Sequence, residues 1–279
     1  MKILDIINTG SKELMFKHIN SYRLDSEILM SKVLSKRREE VLINLDQELN
    51  NKQILKFNQL IRRRALKEPI AYILEQKEFW SRDFKVNRHT LIPRPETELM
   101  IEKLIQIFKN KRISILDVGT GSGCILISLV SELKNASGVG IDVSKNALQI
   151  AKKNAYLNKI NNKVKFLKCP FEQSNFKNFD LIVSNPPYIE RGKIKRLDDD
   201  IKNHEPWVAL DGGNDGLDVI AKVIYKAKYT LKINGTLALE IGNGQLKKVS
   251  KLLRNNNFRL INNIKDYKEN TRCIISKLI

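Results

Sequence analysis

Between Ile113 and Leu133 an apolar strand, Ile113-Ser114-Ile115-Leu116-Asp117-Val118, runs through three glycines at alternate positions, Gly119, Gly121 and Gly123, into an apolar helix that begins at Cys124. Glycines let the backbone turn sharply and approach a ligand with no Cβ in the way. The helix behind them opens on unpaired N–H groups. The same pattern also suits an ordinary tight strand-to-helix turn, so glycines alone do not make a site. The dinucleotide fingerprint G-x-G-x-x-G is excluded: counted from Gly119 its third glycine position holds Cys124, and counted from Gly121 it holds Leu126. Asp117, two residues before the first glycine, suits a cationic ligand better than a pyrophosphate.

A second strand, Gly138-Val139-Gly140-Ile141-Asp142, ends in a carboxylate. At that place a carboxylate can take both hydroxyls of a ribose. Asp142 or Ser144 could equally cap the next helix, Lys145 to Leu157, and the two roles are compatible if Ser144 caps and Asp142 binds. A third apolar run, Phe179 to Ser184, stops at Asn185-Pro186-Pro187-Tyr188. Neither proline has a backbone N–H to give a sheet ladder. The strand therefore ends and a stiff segment projects from its C-terminal end, where open α/β sheets place ligands. The Asn185 amide oxygen and the Pro186 carbonyl can accept both hydrogens of an NH2 group, while the Tyr188 ring flattens that group against a wall. An isolated Asn-Pro-Pro would read as a turn; the glycine loop upstream makes it the other half of a site for adding something to a planar nitrogen.

This order of elements resembles a class I S-adenosylmethionine-dependent methyltransferase, in the branch that modifies planar amino or amide nitrogens. Over nearly its whole length the chain is similar to the release factor glutamine methyltransferases. The similarity rests on Pro69 to Leu74, Glu78-Phe79-Trp80, Leu91-Ile92-Pro93-Arg94-Pro95-Glu96-Thr97-Glu98, Asp117 to Gly123, Asp142 and Ser184 to Ile189. It continues through Glu205-Pro206, Ala209 to Gly213 with Asp215-Gly216-Leu217, and Leu239-Glu240-Ile241-Gly242. The Pro-Arg-Pro-Glu segment and the Asp-Gly-Gly/Asp-Gly-Leu loop are more specific than the glycine loop.

The resemblance implies an α/β fold, a doubly wound and mostly parallel seven-stranded sheet. A helical substrate-recognition domain over residues 1–75, a β-hairpin linker over 76–95 and a methyltransferase domain over 96–279 are expected. It implies S-adenosylmethionine as methyl donor, with S-adenosylhomocysteine as product, held by Asp117, Gly119, Thr120, Gly121, Ser122, Gly123, Asp142, Phe171 and Asn185. It implies a class I peptide chain release factor as protein substrate, methylated on N5 of the glutamine in its Gly-Gly-Gln motif. Asn185, Pro186, Pro187 and Tyr188 would hold that amide, with Asn185, Pro186 and Tyr188 carrying catalysis. Lys168-Cys169-Pro170-Phe171 stands where such enzymes usually carry an acid near the adenine.

Composition sets the remaining bounds. Cys124, Cys169 and Cys273 form no C-x-x-C pair and His18, His89 and His204 are scattered, so no metal site is expected and a reducing cytoplasm is. Met1-Lys2-Ile3-Leu4-Asp5 has an acid where a signal peptide would turn apolar, and the apolar stretch at Ile113 to Val130 carries Asp117 and three glycines; neither secretion nor a membrane span is expected. The formal net charge of +19 suits a nucleic acid, and a methyltransferase acting on adenine N6 or guanine N2 is the nearest rival. A catalytically idle module on the same scaffold is the other. Residues 1–95 hold 19 basic and 12 acidic side chains, so the surplus is spread over the chain. Nucleic acid is not required, weak RNA contact through the basic surface is allowed, and a monomer is expected.

Helical spacing at Ile28, Leu29, Val33 and Leu34, with Asp25 or Ser26 as cap, and again from Asn51 to Leu66, predicts a small bundle. Lys36-Arg37-Arg38 and Arg62-Arg63-Arg64 read as solvated helix faces. Pro95 opens a helix to Phe108. Trp207, in a loop, is expected either to cover the site or to pack on the core, the second being the commoner role for Trp. A helix over 214–231, a strand from Gly235 to Ile241 and an antiparallel pair at Phe258–Ile264 and Cys273–Leu278 complete the reading.

Overall fold

The computed structural model describes residues 1–279. The chain divides into two compact units, Met1–Glu75 with Asp198–His204, and Gln76–Leu197 with Glu205–Ile279. The first is helical: α1 (Ile3–Phe16), α2 (Tyr22–Leu34), α3 (Arg38–Ile43), α4 (Asn51–Ala65) and α5 (Ile70–Leu74), joined by a short helix over Asp199–Lys202 that is α10 in chain order. Helix α4 starts where a reciprocal capping pair places it. Asn50 accepts from the Gln53 N–H at 2.9 Å and the Gln53 side chain accepts from the Asn50 N–H at 3.0 Å, satisfying two otherwise orphaned donors. Ile3, Ile7, Leu14, Leu29, Met30, Phe57 and Ile61 fill the core of this unit. A Cβ at Gly10 would lie 2.8 Å from the Phe57 ring, so α1 and α4 cross where only glycine fits.

Two readings of this unit are corrected. Asp25 and Ser26 do not cap α2; the helix begins four residues earlier, after Ser21, and both side chains are buried. Arg64 does not lie on a solvated face. It is buried and pairs with Asp25 at 2.6 Å and Asp200 at 2.8 Å. Periodicity assigns a helical face, but only the tertiary partner reveals that a charged residue has turned inward. Removing one member of such a pair leaves an uncompensated buried charge, at a cost of about 3–5 kcal/mol.

The second unit begins with a hairpin, β1 (Gln76–Phe79) and β2 (Arg82–Lys85), turned at Trp80 and Ser81, both in the left-handed region. Its Phe79 and Phe84 meet edge to face at 6.0 Å. Then follow α6 (Pro95–Phe108), β3 (Ile113–Val118), α7 (Cys124–Glu132), β4 (Ala136–Asp142), α8 (Lys145–Leu157), β5 (Val164–Lys168), β6 (Phe179–Ser184), α9 (Arg191–Ile194), α11 (Asp218–Thr230), β7 (Leu231–Glu240), α12 (Leu246–Asn255), β8 (Phe258–Lys265) and β9 (Thr271–Leu278). The seven long strands form one sheet in the order β5-β4-β3-β6-β7-β9-β8, parallel except where β9 pairs with β7 and β8.

Side chains alternate between the two faces of this sheet. Ile115 belongs with Met100, Leu104, Leu126 and Leu129 on one face, while Leu116 and Val118 belong with Ile220, Ile224, Val249 and Leu253 on the other. Helices therefore cover both faces, and the α/β doubly wound fold expected from the sequence is the one found. The strand order reverses between β3 and β6, the switch point at which open sheets bind ligands. Helix α11 starts four residues later than expected, because Gly216 takes a φ of +75° and the Asp215 carboxylate holds the Leu217 N–H at 3.1 Å. Strand β7 starts four residues earlier than expected, at Leu231. No helix is long and apolar enough to cross a membrane.

Candidate active site

Three strand ends lie side by side at the switch point. Val118 pairs with Ile141 on one side and Ser184 on the other, and the Ser184 hydroxyl donates to the Val118 carbonyl at 2.7 Å. The glycine loop, Asp142 and Asn185 thus depart from neighbouring positions. They open into a cavity of about 340 Å³ in the second unit.

The loop is folded by its own backbone and the next strand. The Gly119 and Thr120 N–H groups both donate to the Ile141 carbonyl at 2.9 Å. Gly119, Gly121 and Gly123 have φ of +72°, +55° and +80°, a region that costs other residues roughly 1–2 kcal/mol. At Gly123 a Cβ would also sit 2.9 Å from Ile127. The Asp142 carboxylate accepts from the Gly121 N–H at 2.9 Å and the Ser144 N–H at 2.8 Å. Ser144 caps α8 through the Ala147 N–H at 3.2 Å. Burial pushes the Asp142 carboxyl up, against those backbone bonds. Asn154, on α8 and fully buried, donates to the Ser122 carbonyl at 2.8 Å and exchanges bonds with the Lys85 backbone, tying loop and hairpin together.

Gly119, Thr120, Gly121, Ser122, Asp142 and Phe171 line the cavity, as do Asn185, Pro186 and Pro187. Gly123 and Asp117 do not. Asp117 is 1% exposed beneath the loop. Its Oδ2 accepts from the Thr120 hydroxyl at 2.6 Å while its Oδ1 has no protein partner. Desolvation pushes its carboxyl up to about 7. Tyr188 is also absent from the wall. Its ring packs with the Leu239–Val249 core and its hydroxyl donates to Glu240 at 3.3 Å. The expected stacking of this ring on a bound amide is thus not prepared by the ring's position. Asn185 is half-buried, and its carboxamide has no hydrogen bond to protein.

Other side chains complete the wall without having signalled it in sequence. Past the strand β5, where an acid was expected and not found, a short turn at Phe171–Gln173 brings Glu172 to the cavity, 3.7 Å from Lys222 of α11. His89 to Arg94 form another side, with Thr97 beyond them. Glu205 binds this side to the lip Pro206–Ala209: its side chain accepts from the Ile92 N–H at 3.3 Å and pairs with Arg94. Trp207 is not a core residue. It is half exposed, with its indole N–H on Asp211 at 3.3 Å, while its neighbours Val208 and Ala209 line the cavity.

The Asn-Pro-Pro-Tyr segment is supported from outside itself. Gln245 donates to the carbonyls of Tyr188 and Gly216 at 3.1 Å and accepts from the Gly242 N–H at 2.8 Å. Gly212 approaches so closely that a Cβ there would meet the Tyr188 Cα at 2.8 Å. The Ile189 N–H and carbonyl pair with Leu210 and Gly212. These contacts explain why the Asp-Gly-Gly/Asp-Gly-Leu loop is rich in glycine. No group of three or more His, Cys, Asp or Glu is placed to hold a metal.

A doubly wound sheet with a glycine loop, a strand-end aspartate and Asn-Pro-Pro around one cavity defines the methyltransferase class, and residues 109–274 match the family described as Methyltransferase domain. Residues 5–74 match the PrmC N-terminal domain family. The release factor glutamine methyltransferase of Buchnera aphidicola subsp. Acyrthosiphon pisum is 41% identical over 93% of this chain and 93% of its own length. A bifunctional methyltransferase of Rickettsia typhi is 36% identical over 98% of this chain, which spans 56% of that protein's length. Among solved structures, the ribosomal protein L11 methylase of Lactobacillus delbrueckii subsp. bulgaricus superposes with a TM-score of 0.51 at 21% identity, covering 67% of this chain and 81% of that one, a likeness of fold. The chain belongs to the release factor glutamine methyltransferase family.

Proposed function

We propose that this chain transfers a methyl group from S-adenosylmethionine to N5 of the glutamine in the Gly-Gly-Gln motif of class I peptide chain release factors, in the cytoplasm and as a monomer. The observation that carries the reading is the meeting of two halves in one cavity: the glycine loop with Asp142, and Asn185-Pro186-Pro187 on the adjacent strand end. The match over residues 5–74 to the PrmC N-terminal domain, with relatives named release factor glutamine methyltransferase over nearly the whole chain, favours a protein substrate over DNA or RNA. The basic surface needs no nucleic acid to account for it.

The residues fit the methyl donor. Asp142, already ordered by two backbone N–H groups, retains lone pairs for a ribose diol. Phe171, with Cys169, offers an apolar surface to the adenine, and Glu172 offers an acceptor. The partnerless Oδ1 of Asp117 suits a cationic ligand held just above it, with the loop glycines between. S-adenosylmethionine supplies a methyl group already activated by its sulfonium.

An amide nitrogen attacks poorly because its lone pair is delocalised. Asn185 Oδ1 and the Pro186 carbonyl would accept its two N–H bonds, localise the lone pair toward the methyl and stabilise the developing positive charge until S-adenosylhomocysteine departs and one N–H proton passes to water. The two prolines hold those acceptors in place without reorganisation. In-line placement contributes on the order of 7–11 kcal/mol relative to a bimolecular encounter. The helical unit, by the same reading, binds the release factor.

Incubation with labelled S-adenosylmethionine and a release factor, followed by mass spectrometry, tests the proposal. The label is expected on the Gly-Gly-Gln glutamine and absent when that glutamine is alanine. Label elsewhere, or only on added RNA or DNA, contradicts it.

A further inference from the structure

Glu240 ends β7, the strand beside β6, and follows the residue paired with Ser184. Its side chain is buried. One oxygen accepts the Tyr188 hydroxyl at 3.3 Å and the other accepts the Thr97 hydroxyl at 2.5 Å. The ion pairs of the molecule do not include it: Arg272, the nearest cation influence, is bonded to Asp266 at 2.8 Å. A buried carboxylate without a contacting cation is expensive for a fold, and charges of that kind cluster at functional sites. Thr97 lies on the cavity wall in the first turn of α6, and Tyr188 closes the Asn-Pro-Pro-Tyr segment. Two separate stretches of wall therefore converge on one carboxylate, while Gln245 holds the same tyrosine by its carbonyl.

We propose that Glu240 is a positioning residue for the transfer assigned above: as a carboxylate it accepts both hydroxyls at once and so fixes Asn185-Pro186-Pro187-Tyr188 against the start of α6. It touches neither donor nor amide, and the inference rests on that functional reading. A glutamine cannot reproduce the geometry. Its side chain has one acceptor oxygen, and its NH2 only donates, so one of the two hydroxyls must reverse and accept, and both bonds lose the charge that shortens and strengthens them.

Desolvation, with Glu96 adding to it, raises the Glu240 carboxyl above its ordinary range, against the Thr97 and Tyr188 hydroxyls and Arg272; Cys124 and Cys273 are the remaining titratable neighbours. Two consequences follow. Turnover falls as pH drops through the raised pKa, because protonation turns one acceptor into a donor. Stability moves the other way: the folded state holds this proton more tightly than the unfolded state, so ionisation at neutral pH opposes folding. Removing the charge then leaves stability equal or higher while slowing the reaction, which a merely structural carboxylate would not do.

The experiment compares wild type, Glu240→Gln, Tyr188→Phe and the double variant in methylation of a release factor, with thermal melting at neutral pH and calorimetric titration of S-adenosylmethionine. Glu240→Gln is expected to lower kcat at least about tenfold, since small misplacements are that costly, to abolish the acidic limb of the kcat profile, and to leave cofactor affinity within about threefold. Its Tm is expected to be no lower than wild type. Adding Tyr188→Phe is expected to cause no further loss, the signature of residues acting as one unit. Turnover within about twofold of wild type, multiplicative losses in the double variant, or a lowered Tm overturns the inference alone. A release factor left unlabelled by wild type overturns the substrate reading, and this inference with it.

Discussion

The two halves of the cavity are built differently. Around the glycine loop, the bonds come mostly from backbone groups and the next strand: Gly119 and Thr120 to Ile141, Gly121 and Ser144 to Asp142. Around Asn185, support comes from side chains and close approaches far along the chain: Glu240 at the end of β7 and Gln245 after it, Gly212 and Gly216 in the long loop. A donor of fixed shape can be met by a locally encoded cradle. An acceptor amide entering on a protein needs stiff groups aimed at one point, and stiffness at a strand end has to be borrowed from elsewhere.

If the halves are separable in function, variants on each side should fail in different ways. The largest effect is expected from Asn185→Ala: turnover on a release factor falls about 10²–10³, the scale of removing one preorganised polar group, with the fold intact by melting. Near-normal turnover breaks the comparison on its acceptor side. Asp142→Ala comes next. Loss of a charged hydrogen-bonding partner costs about 1.5–3 kcal/mol, so calorimetry is expected to find cofactor affinity weakened by about tenfold or more. Gln245→Ala is expected to lower kcat several-fold, with cofactor affinity held. Equal losses in both would show that the brace serves the whole cavity.

A pH dependence tests the donor half through stability instead of turnover. Burial raises Asp117 to about 7 from an ordinary value of 3.8. The folded state therefore binds this proton more tightly, and the stability that follows is present at low pH and lost as pH rises through that window. Melting curves of Asp117→Asn and wild type are expected to diverge between those values in favour of the variant at the upper end. A constant difference would show that the buried carboxylate carries no proton linkage.

The same contrast governs what could be read from sequence. Strands β3, β4 and β6, the glycine turn and the capping by Ser144 depend on neighbours within a few residues or on apolar runs, and they were legible. The Pro-Pro stop at β6 was legible for the same reason. Asp25 and Arg64 were misread, as a cap and a solvated face, because their pairing spans 39 residues. Glu172 escaped because a short turn after Pro170 carries it to the wall. Tyr188 was assigned to the amide plane, yet its hydroxyl answers to Glu240, 52 residues on. Trp207 stays at the surface through a bond to Asp211. Nothing local to any of these residues announces its partner.

The most direct test is a side-by-side calorimetric titration of S-adenosylmethionine into Asn185→Ala and Asp142→Ala. Separable halves require the first to bind within about threefold of wild type and the second at least about tenfold more weakly. Equal weakening of the two, or unchanged binding by Asp142→Ala, would contradict the division of the cavity into a donor cradle and an acceptor vice.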